Sequence, residues 1–347
     1  MIRQVRRPDF TPRAVALLAV VLMLVACASP RIQAPGPVIQ AADFYLDWFI
    51  TTDGLRQPYK KWAPAEAKPR AVIVALHGFN DYSNFFKVPG AWFADKGLIS
   101  YAYDQRGFGD GPDRGLWAGN GAYARDLSDF VDLVRRTHPG LPVYVLGESF
   151  GGAVAMVAAS GPRGPDVDGY ILAAPAVWGR ASMAWYERSA LWLMAHTVPW
   201  MRLSGQGLNI TPSDNIEMLR ELGRDWRVIK RTRVGTIHGL VGMMDEASAS
   251  AGRFKARALV LYGARDDIIP GDPTFDMVRR LPAINTPAQT FALYDGGYHM
   301  LLRDLKAEVV WQDILAWIDG AGGALPSGAD AAGAKKMAGR GMPATGR

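Results

Sequence analysis

The chain has 347 residues, of which 49% are hydrophobic, enough for a sizeable buried core and incompatible with disorder throughout. Its formal charge of +6 comes from scattered basic residues, densest between Arg3 and Arg13, and no long Lys/Arg block follows. That pattern implies no nucleic-acid partner and favours an anionic membrane surface. A single cysteine excludes an intramolecular disulfide.

Arg3, Arg6, Arg7 and Arg13 precede an apolar run from Ala14 to Val25, and small residues follow it. This is the layout of an export signal, and the run is short for a membrane span. It ends Leu24-Val25-Ala26-Cys27, which resembles the lipobox of bacterial lipoproteins. The resemblance implies that residues 1–26 are a signal peptide and that Cys27 is acylated and holds the protein on a membrane. It implies a bacterial cell envelope location facing the periplasm, with Ala28 after the cysteine favouring the outer membrane. Residues 27–42 are rich in Pro, Ala and Gly without an apolar period and read as a tether.

A domain is expected over residues 43–319. Alternation predicts an opening pair of strands near Phe44–Thr51 and Arg56–Trp62. Continuous apolar runs then predict strands buried on both faces: Ala71–Leu76, Leu98–Tyr103, Pro142–Leu146, Gly169–Ala173, Ala258–Tyr262 and Gln289–Leu293. Helical patterns separate several of them, at Gly90–Lys96, Ala122–Thr137, Phe150–Ser160, Thr274–Leu281 and Asp304–Ile318. Strands alternating with helices give an α/β class, with a mainly parallel sheet and helices on both faces. Residues 320–347, dominated by Gly and Ala, are expected to be a disordered tail. In such sheets the chemistry gathers beyond the carboxyl ends of the strands.

One strand runs directly into Gly147-Glu148-Ser149-Phe150-Gly151 and a small-residue helix start. Gly-x-Ser-x-Gly between strand and helix is a nucleophile elbow, a turn so tight that the serine hydroxyl projects alone above the sheet. Ser149 is the candidate nucleophile, and Glu148 has no assignable role. A serine hydroxyl needs a base, and the base needs an acid to orient it, in the chain order Ser, acid, His. Of five histidines, His77 and His138 precede the serine, and His196 and His238 lie in an insertion without a preceding strand. His299 follows the last strand through a short loop and is the candidate base. Asp266 and Asp267 both stand just after the strand Ala258–Tyr262, and either could receive the imidazole. Two backbone N–H groups should face the developing oxyanion. The Phe150 amide follows the nucleophile, and the Phe79 amide lies in the turn His77-Gly78-Phe79-Asn80 after the first buried strand. His77, and the charges of Asp104-Gln105-Arg106, read as braces for these loops.

His-Gly-Phe-Asn, Asp-Gln-Arg-Gly-Phe-Gly, Gly-Glu-Ser-Phe-Gly-Gly, Gly-Ala-Arg-Asp-Asp-Ile-Ile-Pro and Gly-Tyr-His-Met occur in that order between Phe44 and Ile318. In this the chain resembles the α/β-hydrolase superfamily, and within it the group of monoacylglycerol lipases, lysophospholipases and serine-aminopeptidase-like enzymes. The resemblance implies the α/β-hydrolase fold with a helical cap, about residues 176–254 here. It implies Asp266 as the acid, three residues after Gly263, with Asp267 a solvated neighbour. The expected activity is a serine esterase or lipase cleaving a lipid-like ester such as a monoacylglycerol or lysophospholipid through an acyl-enzyme, without metal or organic cofactor. Trp and Met in the cap would suit an acyl chain or a membrane interface, or would fill the cap's own core. Asp214 to Thr236 reads as an amphipathic surface helix with its flank. The same triad would serve an aminopeptidase or amidase, whose amine-binding carboxylate would be Glu187, Asp214 or Glu217. A non-catalytic lipid-binding envelope protein is the alternative from another class. A dehalogenase is disfavoured by serine at the nucleophile position.

Overall fold

A computed structural model of the protein describes residues 29–320 and 323–340, with Pro12. Cys27 and, apart from Pro12, the expected signal peptide lie outside the described residues.

Nine strands form one sheet in the order β1-β2-β3-β5-β4-β6-β7-β10-β11. They are β1 (Asp43–Tyr45), β2 (Trp48–Ile50), β3 (Arg56–Trp62), β4 (Ala71–Leu76), β5 (Leu98–Tyr103), β6 (Val143–Glu148), β7 (Gly169–Ala173), β10 (Ala258–Gly263) and β11 (Gln289–Tyr294). β1, β2 and β3 pair antiparallel, and β3 pairs antiparallel with β5. From β5 to β11 all pairing is parallel, with Val74 opposite Tyr101 on one side and Val145 on the other. The segment expected as one strand over Phe44–Thr51 is a hairpin instead. Its turn passes through Leu46 with φ +54°, a conformation that neither Leu46 nor Asp47 signals in sequence.

The parallel strands are wholly buried except at Thr290 and Tyr294 of β11, so alternate residues fill two separate cores. Val72, Val74, Val145, Leu172 and Val260 face one core. It is covered by α2 (Asn120–Thr137), α3 (Phe150–Ala159), α6 (Val234–Ser250) and α7 (Gly271–Arg280). Ile73, Ala75, Leu146, Ile171 and Leu261 face the other, covered by α1 (Lys87–Asp95) and α8 (Ala307–Asp319). α1 begins three residues earlier than the pattern Gly90–Lys96 implies, because Pro89 sits in its first turn, where no N–H is needed. Gly90 lets the helix close on β3, since a Cβ there would come within 2.6 Å of the Trp62 ring.

The cap carries α4 (Trp185–Thr197), α5 (Ile216–Arg224) and a two-stranded ribbon of β8 (Arg202–Leu203) and β9 (Thr232–Arg233), before α6 returns to the sheet. Of the stretch Asp214 to Thr236, α5 forms the expected amphipathic helix, and its flank leads through β9 into the start of α6. Two terminal segments differ from expectation. The expected disordered tail contains a helix, α9 (Ala329–Ala338), which buries Ala329, Gly333 and Met337. It lies so close to the edge strand β11 that a Cβ on Gly333 would overlap the Phe291 carbonyl, and it thereby covers the unpaired edge. The expected tether starts as a docked segment: Ile32 bridges to Trp117, and the Gln33 N–H donates to the Trp117 carbonyl at 2.7 Å.

Candidate active site

Ser149 follows β6 and precedes α3, with φ +54° and ψ −113°. Such a conformation is strained for a residue with a Cβ and persists only where its surroundings enforce it. The enforcement is visible. The Ser149 N–H donates to the Ala173 carbonyl at 2.9 Å, and its carbonyl accepts from Ala153 and Ala176 N–H at 3.1 and 2.9 Å. A Cβ on Gly147 would overlap the Gly151 backbone, and one on Gly151 would overlap the Leu76 carbonyl, so both positions exclude any side chain.

His299 lies in the loop after β11 and is buried; its Nδ1 is 2.8 Å from Asp266 Oδ2. The other oxygen of Asp266 accepts from the Ile268 and Ile269 N–H groups at 2.8 and 2.9 Å. The Asp266 side chain is 0% exposed. Asp267 points away: it is exposed, and its Oδ2 accepts from the Thr211 N–H at 3.3 Å. The structure therefore brings Asp266, not Asp267, to the imidazole.

Gly78 approaches Ser149 closely, a Cβ there lying 3.6 Å from Ser149 Cβ, and Phe79 lines the cavity that Ser149 opens into. Among the described residues neither the Phe79 nor the Phe150 N–H has a hydrogen-bond acceptor in the protein. His77 is fully buried beneath this turn. Its Nδ1 faces the Gly78 carbonyl at 2.8 Å, and its Nε2 accepts from the Gln105 N–H at 3.0 Å. Burial lowers its pKa, so the neutral imidazole donates on one side and accepts on the other. Asp104 accepts from the Ser83 and Asp110 N–H groups at 2.8 Å each. Arg106 is buried between Asp53 and Asp126, with its closest oxygens at 2.7 and 2.6 Å. Burial opposes its charge, but the bonds to Asp126 and Asp53 outweigh it and push its pKa up. Breaking so enclosed an ion pair costs about 3–5 kcal/mol.

Ser149, His299, Gly78 and Phe79 line one cavity of about 480 Å³. Its apolar wall comes from the cap and α6: Trp178, Met183, Leu191, Leu240, Val241 and Met244. The cap's aromatic and methionine residues thus divide: Met243 fills the core, Trp178 and Met244 line the cavity, and Trp185, Trp192 and Trp200 are exposed.

Three polar residues of the cavity were not assigned from sequence. Glu148 Oε1 and Asp81 Oδ2 lie 2.6 and 2.8 Å from the two terminal nitrogens of Arg303. Burial opposes the arginine's charge, but the two carboxylates hold its pKa above the usual range. Each stands within a few residues of a motif: Glu148 in the elbow, Asp81 after the Gly78 turn, Arg303 after His299. That proximity was the available signal. Asp304, next in sequence, accepts from the Ser213 hydroxyl at 2.6 Å and the Tyr298 N–H at 2.9 Å.

Residues 67–306 match the family described as serine aminopeptidase, S33. The chain belongs to that family. This S33 family member is 27% identical over 282 residues to a monoacylglycerol lipase of Mycolicibacterium smegmatis, covering 78% of this chain and 95% of the relative. It is 23% identical to human monoglyceride lipase over 283 residues, covering 79% and 90%. In fold it is similar to a soluble variant of monoglyceride lipase from Saccharomyces cerevisiae solved with a substrate analog, with TM-score 0.66, 21% identity, and coverage of 85% of this chain and 99% of that one. The S33 family member has the α/β-hydrolase fold. Among its described residues no helix is long and apolar enough to cross a membrane.

Proposed function

We propose that the protein is a serine esterase of the monoacylglycerol lipase or lysophospholipase kind. Ser149 Oγ attacks the ester carbonyl while His299 Nε2 takes its proton, and Asp266 holds the opposite ring nitrogen and stabilises the imidazolium. The Phe79 and Phe150 N–H groups hold the oxyanion of the tetrahedral intermediate. His299 then protonates the departing alcohol, and water activated by the same imidazole cleaves the acyl-enzyme. The observation that carries this reading is His299, held by the buried Asp266 carboxylate, sharing one cavity with the strained Ser149. The apolar cap wall suits an acyl chain.

An aminopeptidase needs a free carboxylate for the substrate amine. Glu187 instead caps α4 through the Ala184 N–H, Asp214 accepts from the Leu305 N–H, and Glu217 pairs with Arg220. None of the three lines the cavity, and the two carboxylates that do are taken by Arg303. This favours esters over N-terminal peptides.

The protein is further proposed to be a bacterial envelope lipoprotein acylated at Cys27, with the outer membrane favoured. The test of the activity is hydrolysis of a p-nitrophenyl ester series and of a monoacylglycerol, beside Ser149→Ala. Turnover that rises with acyl length and vanishes in the variant is expected; inactivity toward every ester would overturn the reading.

A further inference from the structure

Two features stand out, one in the cap and one in the chain before the sheet. The first is exposed aromatic surface. Trp185 and Trp192 stand seven residues apart on α4 and share a face. They are 72% and 59% exposed, and Trp200, just beyond the helix, is 56% exposed. Concentrated apolar surface of this kind marks an interaction site. Arg188 lies between the two helix tryptophans on that face, and Arg202 and Arg233 sit opposite each other in the ribbon that follows. None of these arginines has an acidic partner among the described residues. Tryptophan flanked by unpaired arginine is the chemistry of an anionic lipid head-group layer.

The second feature is the path of the chain before the sheet. Gln33 is held to Trp117 by its N–H, and its side-chain amide donates to the Pro112 carbonyl at 3.3 Å. Pro30 packs on the start of α6, where a Cβ on Gly235 would lie 2.9 Å from Pro30 Cβ and 3.5 Å from Pro199 Cβ. Pro199 precedes Trp200, and its carbonyl accepts from the Gly235 N–H at 3.0 Å. The docked segment therefore runs beside Pro199, the chain neighbour of Trp200. Only Ala28 separates Ser29 from Cys27, a reach of no more than about 7 Å of extended chain.

We propose that Ser29–Gln33 is a strap that fixes the lipid anchor beside the cap, so that the face bearing Trp185, Trp192 and Trp200 lies in the head-group layer of the membrane that holds Cys27. This rests on the acylation of Cys27 proposed above. Leu191, on the same helix as Trp192, lines the cavity beside Ser149, so a lipid ester reaches the site from the bilayer surface through the cap.

The test uses the full-length protein, reconstituted through its own N-terminus into vesicles of phosphatidylethanolamine and phosphatidylglycerol containing lipids brominated near the carbonyl groups. Tryptophan fluorescence should be quenched, and the quenchable part should disappear in the Trp185→Phe/Trp192→Phe/Trp200→Phe variant. Inserting about twenty Gly and Ser residues between Ala28 and Ser29, which span roughly 25 Å, should keep the protein on the vesicles while quenching and monoacylglycerol turnover fall. Turnover of a soluble short ester should not change. Intact mass of the N-terminus and flotation with vesicles report the anchor separately. A protein without acyl mass on Cys27 would sink the anchor and the strap together. Acylated, floating protein that is not quenched would overturn the docking face and leave the anchor standing, and quenching indifferent to the insertion would overturn the strap.

Discussion

Asp266→Asn should lower kcat by about four orders of magnitude, an increase of roughly 5.5 kcal/mol in the barrier. The size follows from how the carboxylate is held. Its Oδ1 accepts from both the Ile268 and Ile269 N–H groups. An asparagine must therefore place its carbonyl there and turn its NH₂ group toward His299 Nδ1, 2.8 Å from the present Oδ2. A donor at that position requires a lone pair on Nδ1, which moves the ring proton to Nε2, the nitrogen that has to accept from Ser149. The imidazole stays in place but can no longer serve as a base. Asp267→Asn, at an exposed side chain, should alter stability and activity by no more than about 0.5 kcal/mol, or roughly twofold. Steady-state hydrolysis of p-nitrophenyl butyrate, with thermal melts to verify folding, measures both. Activity of Asp266→Asn above a tenth of the parent's, together with a large loss in Asp267→Asn, would refute the argument.

Arg303→Met leaves the buried carboxylates of Glu148 and Asp81 without their counter-ion and should destabilise the protein by about 3–5 kcal/mol in urea denaturation; adding Glu148→Gln should recover part of the loss, and no recovery would mean that the cost lies in packing. Gly147→Ala forces a Cβ into the Gly151 backbone, so it should cost about 1–3 kcal/mol and abolish ester turnover by displacing Ser149; an active, stable variant would contradict the geometry of the elbow. Burial, opposed by bonds from Ser213 and Tyr298, raises the Asp304 pKa from 3.8 to about 6. Between those values the unfolded chain has released a proton that the folded chain keeps, so this group's contribution to stability is present at low pH and falls as pH rises through about 6. The stability difference between parent and Asp304→Asn, measured by urea titration across that range, should show this slope; a flat difference would refute it.

The elbow was readable because backbone overlap requires both of its glycines, Gly147 against the Gly151 backbone and Gly151 against the Leu76 carbonyl, and so leaves a fixed spacing in the sequence. The buried strands were readable because both faces are apolar. Asp266 was not separable from Asp267 by residue type alone, since the distinction lies in which side chain turns under the loop toward Ile268 and Ile269. Glu148, Asp81 and Arg303 escaped because the pairing joins positions 155 residues apart, such as Glu148 and Arg303. α9 escaped for a different reason: Ala329, Gly333 and Met337 recur every four residues, but such small side chains resemble a low-complexity tail unless the strand edge they cover is known. The cap tryptophans could not be divided into lining and surface because helix α4 has no strongly segregated apolar face.

Two consecutive residues after His299 hold together the parts of the site that the chain delivers separately. Arg303 reaches the elbow through Glu148 and the turn bearing Phe79 through Asp81. Asp304 reaches the His299 loop through the Tyr298 N–H and the cap through Ser213. The arginine's partners stand at the end of β6 and in the turn after β4, which the sheet already fixes, so its bonds add rigidity where the proposed nucleophile Ser149 and the proposed oxyanion donors sit. The aspartate's two partners differ in kind, one in the loop of the base and one in the cap. A cap displaced by a long acyl chain or by the membrane surface would pull on Ser213 and, through Asp304, on the peptide next to His299, while the Arg303 cluster kept the nucleophile in place. Sensitivity of turnover to the cap should therefore pass through the base rather than through the nucleophile.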